Sequence, residues 1–214
     1  LIIHHGTVNG GSTNTVTWGS TDVRTSLSGS SDKIKISYDP ISYKTFCGFY
    51  NGSQSEGFIF TNSSGTTTTA GTSVNFFSGN PFGVDIVNVG EDKWVVGYLQ
   101  GNNYPEVRVV SASGTNVSYG TAVVVNSSSA SSGGSTLSDA GFSMSYDTAS
   151  SQVVMFYRNS SGEIKAKVGT VSGTDISFGS QVPSSGTFTN GTDMKPHPGS
   201  AAYIPAKDVH IVAY

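Results

Sequence analysis

The sequence predicts an all-β protein, most simply a β-propeller of four four-stranded antiparallel blades. Short runs that alternate apolar and polar residues recur along the whole chain, and Gly, Asn, Asp, Ser or Pro separates them. Similar segments also reappear about 50 residues apart. Period-two alternation is typical of half-buried strands, and none of the 214 residues falls in a segment with a clear helical period.

The first half of the repeated unit is clearest between Glu163 and Gly179, where an alternating run, a Ser-Gly-Thr turn and a second run end in Phe-Gly. Three further segments have the same outline. Aligning their closing residues brings four glycines into register, namely Gly19, Gly71, Gly120 and Gly179. The residues in front of them are Trp18, Ala70, Tyr119 and Phe178, and the aromatic ones are predicted to pack between blades.

The second half of each unit contains two more strands around a tight turn, as in KIKISYD followed by KTFCGFY. Four runs per unit give about sixteen strands, joined by turns short enough for antiparallel hairpins. The alignment also assigns one acidic position, just before the first strand of a unit, to Glu56, Glu106 and Glu163. The chain therefore divides into repeats at about 1–55, 56–105, 106–162 and 163–214 within one domain.

A ring of such units buries the two apolar faces of each sheet and protects the sheet edges. We expect the ring to close with four blades, because the repeats tile the chain. The alternatives are a portion of a larger propeller, tandem β-sandwich repeats and a β-solenoid. An incomplete ring is expected to self-associate through its uncovered faces.

Composition excludes several classes of protein. The formal net charge is −3, and the only arginines are Arg24, Arg108 and Arg158, so the clustered cations that neutralise nucleic-acid phosphates are missing. No apolar run reaches the length of a membrane span. Cys47, the single cysteine, lies in the apolar run TFCGFY and is predicted to be a buried thiol.

The segment Ala166–Gly179, AKVGTVSGTDISFG, resembles the VGTVSGT-x-ISFG repeat of long virion structural and tail-fibre-like proteins of marine bacteriophages. The SYD turn before QVVMFYRN, between Ser145 and Asn159, resembles the second half of that repeat. This resemblance implies an adhesin-like module on a virion surface or outside the cell. It carries over no catalytic residue.

The titratable residues do not predict a catalytic site. Asp39 and Asp147 close strands in the pattern Ser-Tyr-Asp, and Asp92 and Asp208 lie near equivalent turns. Recurrence in every repeat favours a structural role, because Asp readily accepts backbone N–H bonds in tight turns. The three arginines occupy different repeat positions, which argues against a sialidase-like carboxylate clamp.

Metal and cofactor sites are not predicted either. His4 and His5 are adjacent and would point to opposite faces of a strand, so they cannot chelate one ion together. His197 and His210 lie in the fourth repeat without ligand-like spacing.

Ligand-binding candidates come from loops that interrupt the repeat, since binding residues favour loops on a rigid scaffold. The insertion at 126–139 and the segment Asp193–Pro198 are the main interruptions. Phe82 and Tyr104 adjoin prolines and are predicted to be exposed, and an exposed ring beside amides can hold a sugar. The candidate ligand-binding residues are Asn102, Asn103, Tyr104, Phe82, Lys195 and His197.

The sequence thus predicts a non-enzymatic binding module, an adhesin or receptor-binding unit of a phage-like structural protein. Its expected partner is a glycan or a host-surface receptor, with no nucleic acid, no membrane insertion and no cofactor. A glycosidase or sialidase-like enzyme on the same scaffold is the alternative, and it requires two carboxylates that face one cleft. A purely architectural spacer is the third possibility.

Overall fold

A computed structural model describes the chain in segments. They comprise residues 2–3, 6–9, 15–18, 22–23, 33–64, 67–100, 104–127, 141–183 and 196–214, with side chains from residue 33 onward except at 62–68. Every regular element in these segments is a strand, and every strand pair is antiparallel, which confirms the all-β prediction. Within the same segments, no helix is long and apolar enough to cross a membrane.

The N-terminal strands form two short pairs. They are β1 (Ile2–Ile3), β2 (Gly6–Asn9), β3 (Thr15–Trp18) and β4 (Asp22–Val23), with β1 paired to β4 and β2 paired to β3. Sheet I follows. It contains β5 (Ile34–Asp39), β6 (Lys44–Tyr50), β7 (Ser55–Ser64), β8 (Thr67–Ala70) and β9 (Val74–Phe77).

Sheets II and III repeat this arrangement. Sheet II contains β10 (Val84–Gly90), β11 (Lys93–Leu99), β12 (Pro105–Ser113), β13 (Asn116–Tyr119) and β14 (Val123–Val124). Sheet III contains β15 (Phe142–Asp147), β16 (Gln152–Arg158), β17 (Ile164–Ser172) and β18 (Asp175–Phe178). The chain ends in a hairpin of β19 (Ala201–Ile204) and β20 (Val209–Val212). Each large sheet therefore joins the second half of one predicted repeat to the first half of the next.

The closing glycines are in register wherever the structure describes them. Their backbone N–H groups donate to a carbonyl of the third strand of their own sheet, each at 2.9 Å. The pairs are Gly71 with Ile59, Gly120 with Val109 and Gly179 with Val168. This part of the predicted repeat is confirmed, and Gly19 lies outside the described residues.

The first hairpin turn of each unit also repeats. In all four turns the residue before the second strand has a left-handed backbone, which is uncommon for residues other than glycine. These residues are Tyr43 (φ 58°), Asp92 (φ 57°), Ser151 (φ 57°) and Asp208 (φ 53°). The C-terminal hairpin therefore begins a unit in the same way as sheets I to III do.

The predicted equivalence of Glu163 with the other two glutamates is wrong. Glu56 lies opposite Phe49, and Glu106 lies opposite Tyr98, but the residue opposite Tyr157 is Lys165. Glu163 lies two residues earlier, in the turn before β17, where it accepts a hydrogen bond from Asn159 Nδ2 at 2.8 Å. An acidic residue near a strand start satisfied the sequence pattern without fixing the register.

The core lies between successive sheets. Phe46 and Phe76 of sheet I pack with Trp94 and Tyr98 of sheet II, and Tyr119 packs against this cluster. Tyr119 thus packs between two successive sheets, and its hydroxyl donates to the Val74 carbonyl of sheet I at 3.2 Å. A second cluster joins sheets II and III, and a third joins sheet III to the C-terminal hairpin. Cys47 is buried in a separate cluster of sheet I, as predicted.

Candidate functional site

The first strand of each unit, β5, β10, β15 and β19, is here called an inner strand. Successive inner strands lie side by side: β5 beside β10, β10 beside β15, and β15 beside β19. On β5, Lys35 Nζ donates to the carbonyl of Pro198, in the segment before β19, at 2.8 Å. The chain near β19 therefore also contacts β5.

Asp85, on β10, forms polar contacts with the neighbouring inner strands. It is 3 % exposed and accepts hydrogen bonds from the N–H of Met144 at 2.8 Å and from Ser143 Oγ at 3.2 Å. The N–H of Gly199 is a further donor, and the ammonium group of Lys35 lies close enough to interact. Burial raises the pKa of Asp85, whereas these donors and Lys35 oppose the rise.

Ser143 extends this hydrogen-bond network to β19. Its hydroxyl, which donates to Asp85, also accepts the N–H of Ala201 at 2.9 Å. Asp85 and Ser143 together therefore connect three inner strands, and Lys35 brings in the fourth. The segment before β19 takes part through its backbone.

An open depression lies further along the inner strands, toward their first hairpin turns. Its volume is about 320 Å³, within the size range of small-molecule sites. All four inner strands contribute to it. The lining residues are Ser37, Ile86, Val87, Asn88, Met144, Ser145, Tyr146, Thr148, Ala201, Ala202 and Tyr203. We call this depression the axial pocket.

The amide of Asn88 is fixed in orientation. Its Nδ2 donates to the carbonyls of Gly90 and Lys93, each at 2.9 Å. Because both partners can only accept, the nitrogen must face them, and Oδ1 is the atom that can accept a further hydrogen bond. Asn88 thus contributes an acceptor to the axial pocket.

Sheet III and the C-terminal hairpin form a polar wall of the pocket. Ser145 Oγ lies 2.8 Å from His210 Nδ1, and the ring of His210 lies under the ring of Tyr203 with 4.9 Å between centroids. The hydroxyl of Tyr203 donates to Asp208 at 2.9 Å. Burial lowers the pKa of His210, although the charges of Asp147 and Asp208 oppose this, so the imidazole is neutral at pH 7.

The carboxylates beside the pocket are held in turns, in agreement with the structural role predicted for them. Asp147 accepts the N–H groups of Ala149 at 2.8 Å and Ser150 at 3.1 Å. The hydroxyl of Ser150 is the largest factor that lowers the pKa of Asp147, to about 2. Tyr203 also lies close enough to lower this pKa, so Asp147 is ionised at neutral pH.

Asp39 does the same in sheet I and also joins two sheets. It accepts the N–H of Ile41 at 2.9 Å and, across the boundary between sheets, the N–H of Asp92 at 2.7 Å. Asp92 in turn lies 2.6 Å from Lys44 Nζ. Burial raises the pKa of Asp39, but its hydrogen bonds outweigh that effect and lower it.

The three described residues among the predicted ligand-binding candidates, Phe82, Tyr104 and His197, are not among the residues that line the pocket. Asn102, Asn103 and Lys195 lie outside the described residues. Phe82 is half-buried against the cluster between sheets II and III rather than exposed, because its backbone N–H is tied to the Leu99 carbonyl at 3.1 Å. Tyr104 is also half-buried.

His197 is exposed, and its backbone N–H donates to Ser200 Oγ at 3.2 Å. Phe82 and His197 each precede an inner strand, β10 and β19 respectively. The axial pocket lies toward the other end of those strands, so Phe82 and His197 lie away from it.

Arg108 and Arg158, the two described arginines, are not among the residues that line the pocket. Arg108 lies on β12, where Nε is 3.3 Å from the hydroxyl of Tyr98, and Arg158 is buried at the end of β16. Arg24 is not among the described residues. Within the described part of the chain, no group of three or more His, Cys, Asp or Glu side chains is placed to hold a metal ion.

The sequence signal for the axial pocket was the register of the inner strands. Tyr38, Asn88, Tyr146 and Tyr203 each lie opposite the second residue of the next strand. Three tyrosines and one asparagine at the same position mark a shared level of the four inner strands. The recurrent Ser-Tyr-Asp pattern predicted a role for the aspartate but none for the tyrosine.

No protein-family model matches the chain. No curated protein matches it at a significant level either.

Proposed function

We propose that the chain forms a four-bladed β-propeller that acts as a non-enzymatic binding module. Support for the architecture comes from the repeated glycine bonds, the four left-handed turn residues and the four inner strands around Asp85. Sheets I, II and III are three blades. The C-terminal hairpin supplies the inner half of the fourth.

The N-terminal strands supply the outer half of that blade. In sheet I, β8 covers the second half of β7 and β9 covers the first half. The pairs β2–β3 and β1–β4 divide their strands in the same way, so β1 and β2 together correspond to β7. Thr7 then has the register of Thr61, Ser111 and Thr170.

The edge of β20 is available to receive them. Among the described residues β20 pairs only with β19, and its outward side chains Val209 and Ile211 are 42 % and 52 % exposed. Ile36 and Tyr38 on the inner strand of sheet I are 63 % and 53 % exposed. Pairing of β20 with β1 and β2 would complete the fourth sheet, so that its apolar side chains could pack against those of sheet I.

The axial pocket carries the functional part of the proposal. Its described lining contains no Lys, Arg, Asp or Glu, and Asp147 and Asp208, which lie beside Tyr203, are already bonded. Asp85, whose pKa is raised by burial, is 3 % exposed and bonded to Ser143 and Met144, so it does not face the pocket as a free carboxyl group. A glycosidase needs two carboxylates across one cleft, one of which is a proton donor with a raised pKa. Asp147, with its pKa lowered to about 2, is unsuited to donate a proton. Binding without bond cleavage is the function that this chemistry favours.

The bacteriophage-repeat resemblance adds the setting. We propose that the module lies on a virion surface or outside the cell and contacts a glycan or a host-surface receptor. A rigid ring with an open central depression presents such a ligand site on one face, which a purely architectural spacer would not need. The spacer remains the outcome if no ligand binds.

The test is binding of fluorescently labelled protein to an array of neutral and acidic surface glycans, followed by mass spectrometry of the bound glycans. We expect reproducible binding by folded protein, no binding by heat-unfolded protein, and unchanged glycan masses. Release of shorter glycans would contradict the non-enzymatic assignment. Failure of folded protein to bind any glycan or any intact cell surface would contradict the binding module.

A further inference from the structure

We infer that the axial pocket is a site for a single neutral sugar ring, held by Asn88 and Tyr203. This inference rests on the proposed function and specifies both its ligand class and its residues. The ligand-binding candidates predicted from sequence lie in loops that interrupt the repeat, whereas the pocket is lined by residues on and next to the inner strands. The pocket supplies an aromatic ring, hydroxyl groups and a fixed amide oxygen around one volume.

The size of the pocket suits one ring. A volume of about 320 Å³ lies at the lower end of the range for small-molecule sites, so an extended oligosaccharide would reach beyond it. The pocket is open, which allows one terminal residue of a longer glycan to enter while the remainder stays in solvent. A terminal, non-reducing sugar is the natural occupant.

Tyr203 provides the aromatic surface. Tyr203 lines the pocket, and its ring packs against that of His210 with 4.9 Å between centroids and 37° between the two planes. Its hydroxyl donates to Asp208. Partial burial is the largest cause that raises the pKa of this hydroxyl, and Asp147 and Asp208 raise it further, so the side chain is neutral at physiological pH. A neutral, immobilised aromatic ring can cover the apolar C–H face of a pyranose.

Hydrogen-bonding groups complement the ring. Asn88 offers Oδ1, because its nitrogen is committed to Gly90 and Lys93, and Ser37 and Thr148 offer hydroxyls that can donate or accept. Sugar hydroxyls can also do both. Ile86 and Met144 supply apolar surface between these groups. The mixture of planar acceptor, hydroxyls and apolar floor matches a polyhydroxylated ring better than a purely apolar ligand.

Charge determines which sugars are accepted. Asp147 and Asp208 adjoin Tyr203, and no described cation lines the pocket, so an anionic ligand would approach two carboxylates without a compensating partner. The inference therefore covers neutral hexoses and N-acetylhexosamines and excludes sialic acid. This selectivity also separates the pocket from a sialidase site, which requires cations for the sugar carboxylate.

The test uses saturation-transfer NMR with methyl glucoside, methyl galactoside and N-acetylglucosamine as neutral probes, and N-acetylneuraminic acid as the anionic probe. We expect transfer to at least one neutral probe and none to the anionic probe. Tyr203→Ala is expected to weaken binding of the neutral probe about tenfold through loss of stacking. Asn88→Ala is expected to weaken it about fivefold through loss of one hydrogen bond.

Matched variants separate binding from folding. Tyr203→Phe keeps the ring and is expected to stay within about twofold of the parent, while Asn75→Ala on β9, outside the pocket, is expected to leave binding unchanged. Thermal melts verify that each variant is folded. Loss of binding in Tyr203→Phe equal to that in Tyr203→Ala would remove the stacking assignment.

Two results would overturn the inference while leaving the proposed function intact. One is binding of a neutral sugar that Tyr203→Ala and Asn88→Ala leave unchanged but that changes at Asn102, Asn103 or Tyr104 reduce. The other is that the protein binds glycans on the array but shows no saturation transfer to any of the neutral probes. Failure of the array as well would remove the proposed function.

Discussion

Replacement of Asp85 by alanine is expected to lower the free energy of unfolding by about 3–5 kcal/mol, the cost of breaking a buried charged network. The change removes the acceptor for Ser143 Oγ and for the N–H groups of Met144 and Gly199, and it leaves Lys35 without its carboxylate. Three inner strands lose a shared partner at once. Urea unfolding followed by circular dichroism measures the loss.

Two further variants serve as comparisons for the stability of Asp85→Ala. Asp85→Asn keeps one oxygen acceptor and avoids burial of a negative charge, so it is expected to lose less stability than Asp85→Ala. Asp175→Ala removes an exposed carboxylate from β18 and is expected to change stability by no more than about 0.5 kcal/mol. An Asp85→Ala protein as stable as the Asp175→Ala control would show that the inner strands are not held together through Asp85.

Gly120→Ala is the second change with a large expected effect. A Cβ atom at Gly120 would lie 1.8 Å from the carbonyl oxygen of Thr174, which belongs to the β17–β18 turn of the next sheet. A backbone oxygen cannot move aside as a flexible side chain can, so sheets II and III would have to separate. We expect a loss of about 3 kcal/mol, at the upper end for overpacking, or roughly 6–12 °C in melting temperature for a chain of this length.

Thr121→Ala is the control for this contact. Thr121 directly follows Gly120 and is exposed, so its truncation is expected to change stability by no more than about 0.5 kcal/mol. A loss in Gly120→Ala no larger than that in Thr121→Ala would mean that the close approach of the two sheets at Gly120 does not contribute to stability.

Local sequence signals predicted most of the strand content. Alternation and turn residues were sufficient for pairs such as β10–β11 and β15–β16, because adjacent strands of a hairpin depend on nearby residues. The closing glycines were also found, although their physical reason was hidden. At Gly71 and Gly120 that reason is a carbonyl of the next sheet, a long-range contact that no local pattern records.

The phase between repeats and sheets could not be read from the same signals. A repeat can be started at any point in its period, and only pairing shows that β7 continues the sheet begun by β5 and β6. The incorrect alignment of Glu163 with Glu56 and Glu106 has a related cause, since an acidic residue is compatible with either the turn or the strand. Register is fixed by hydrogen bonding across strands, not by residue type alone.

The candidate site was harder to predict than the fold. Sequence analysis favoured loops that interrupt the repeat, whereas the axial pocket is built from regular positions on four inner strands that are far apart in the chain. Asn88 and Tyr203 look unremarkable in their own strands. They become a candidate site only because the four strands meet.

The most direct test of the account is whether the N-terminal strands complete the fourth blade. By register with Lys44–Thr61 and Gln152–Thr170, Val209 is expected to pair with Thr7. Paired residues of antiparallel strands have the separation that a disulfide requires. The measurement is disulfide formation in Thr7→Cys/Val209→Cys, made in a Cys47→Ala background and analysed by non-reducing mass spectrometry at low protein concentration.

The account predicts an intramolecular disulfide in the monomer. The control pair Thr7→Cys/Ala213→Cys, displaced by four residues or about 13 Å along the strand, should form none. Cross-linking only between chains would mean that the ring is completed by a second copy. No cross-link in either pair, with both proteins folded, would contradict a four-bladed ring completed by β1 and β2.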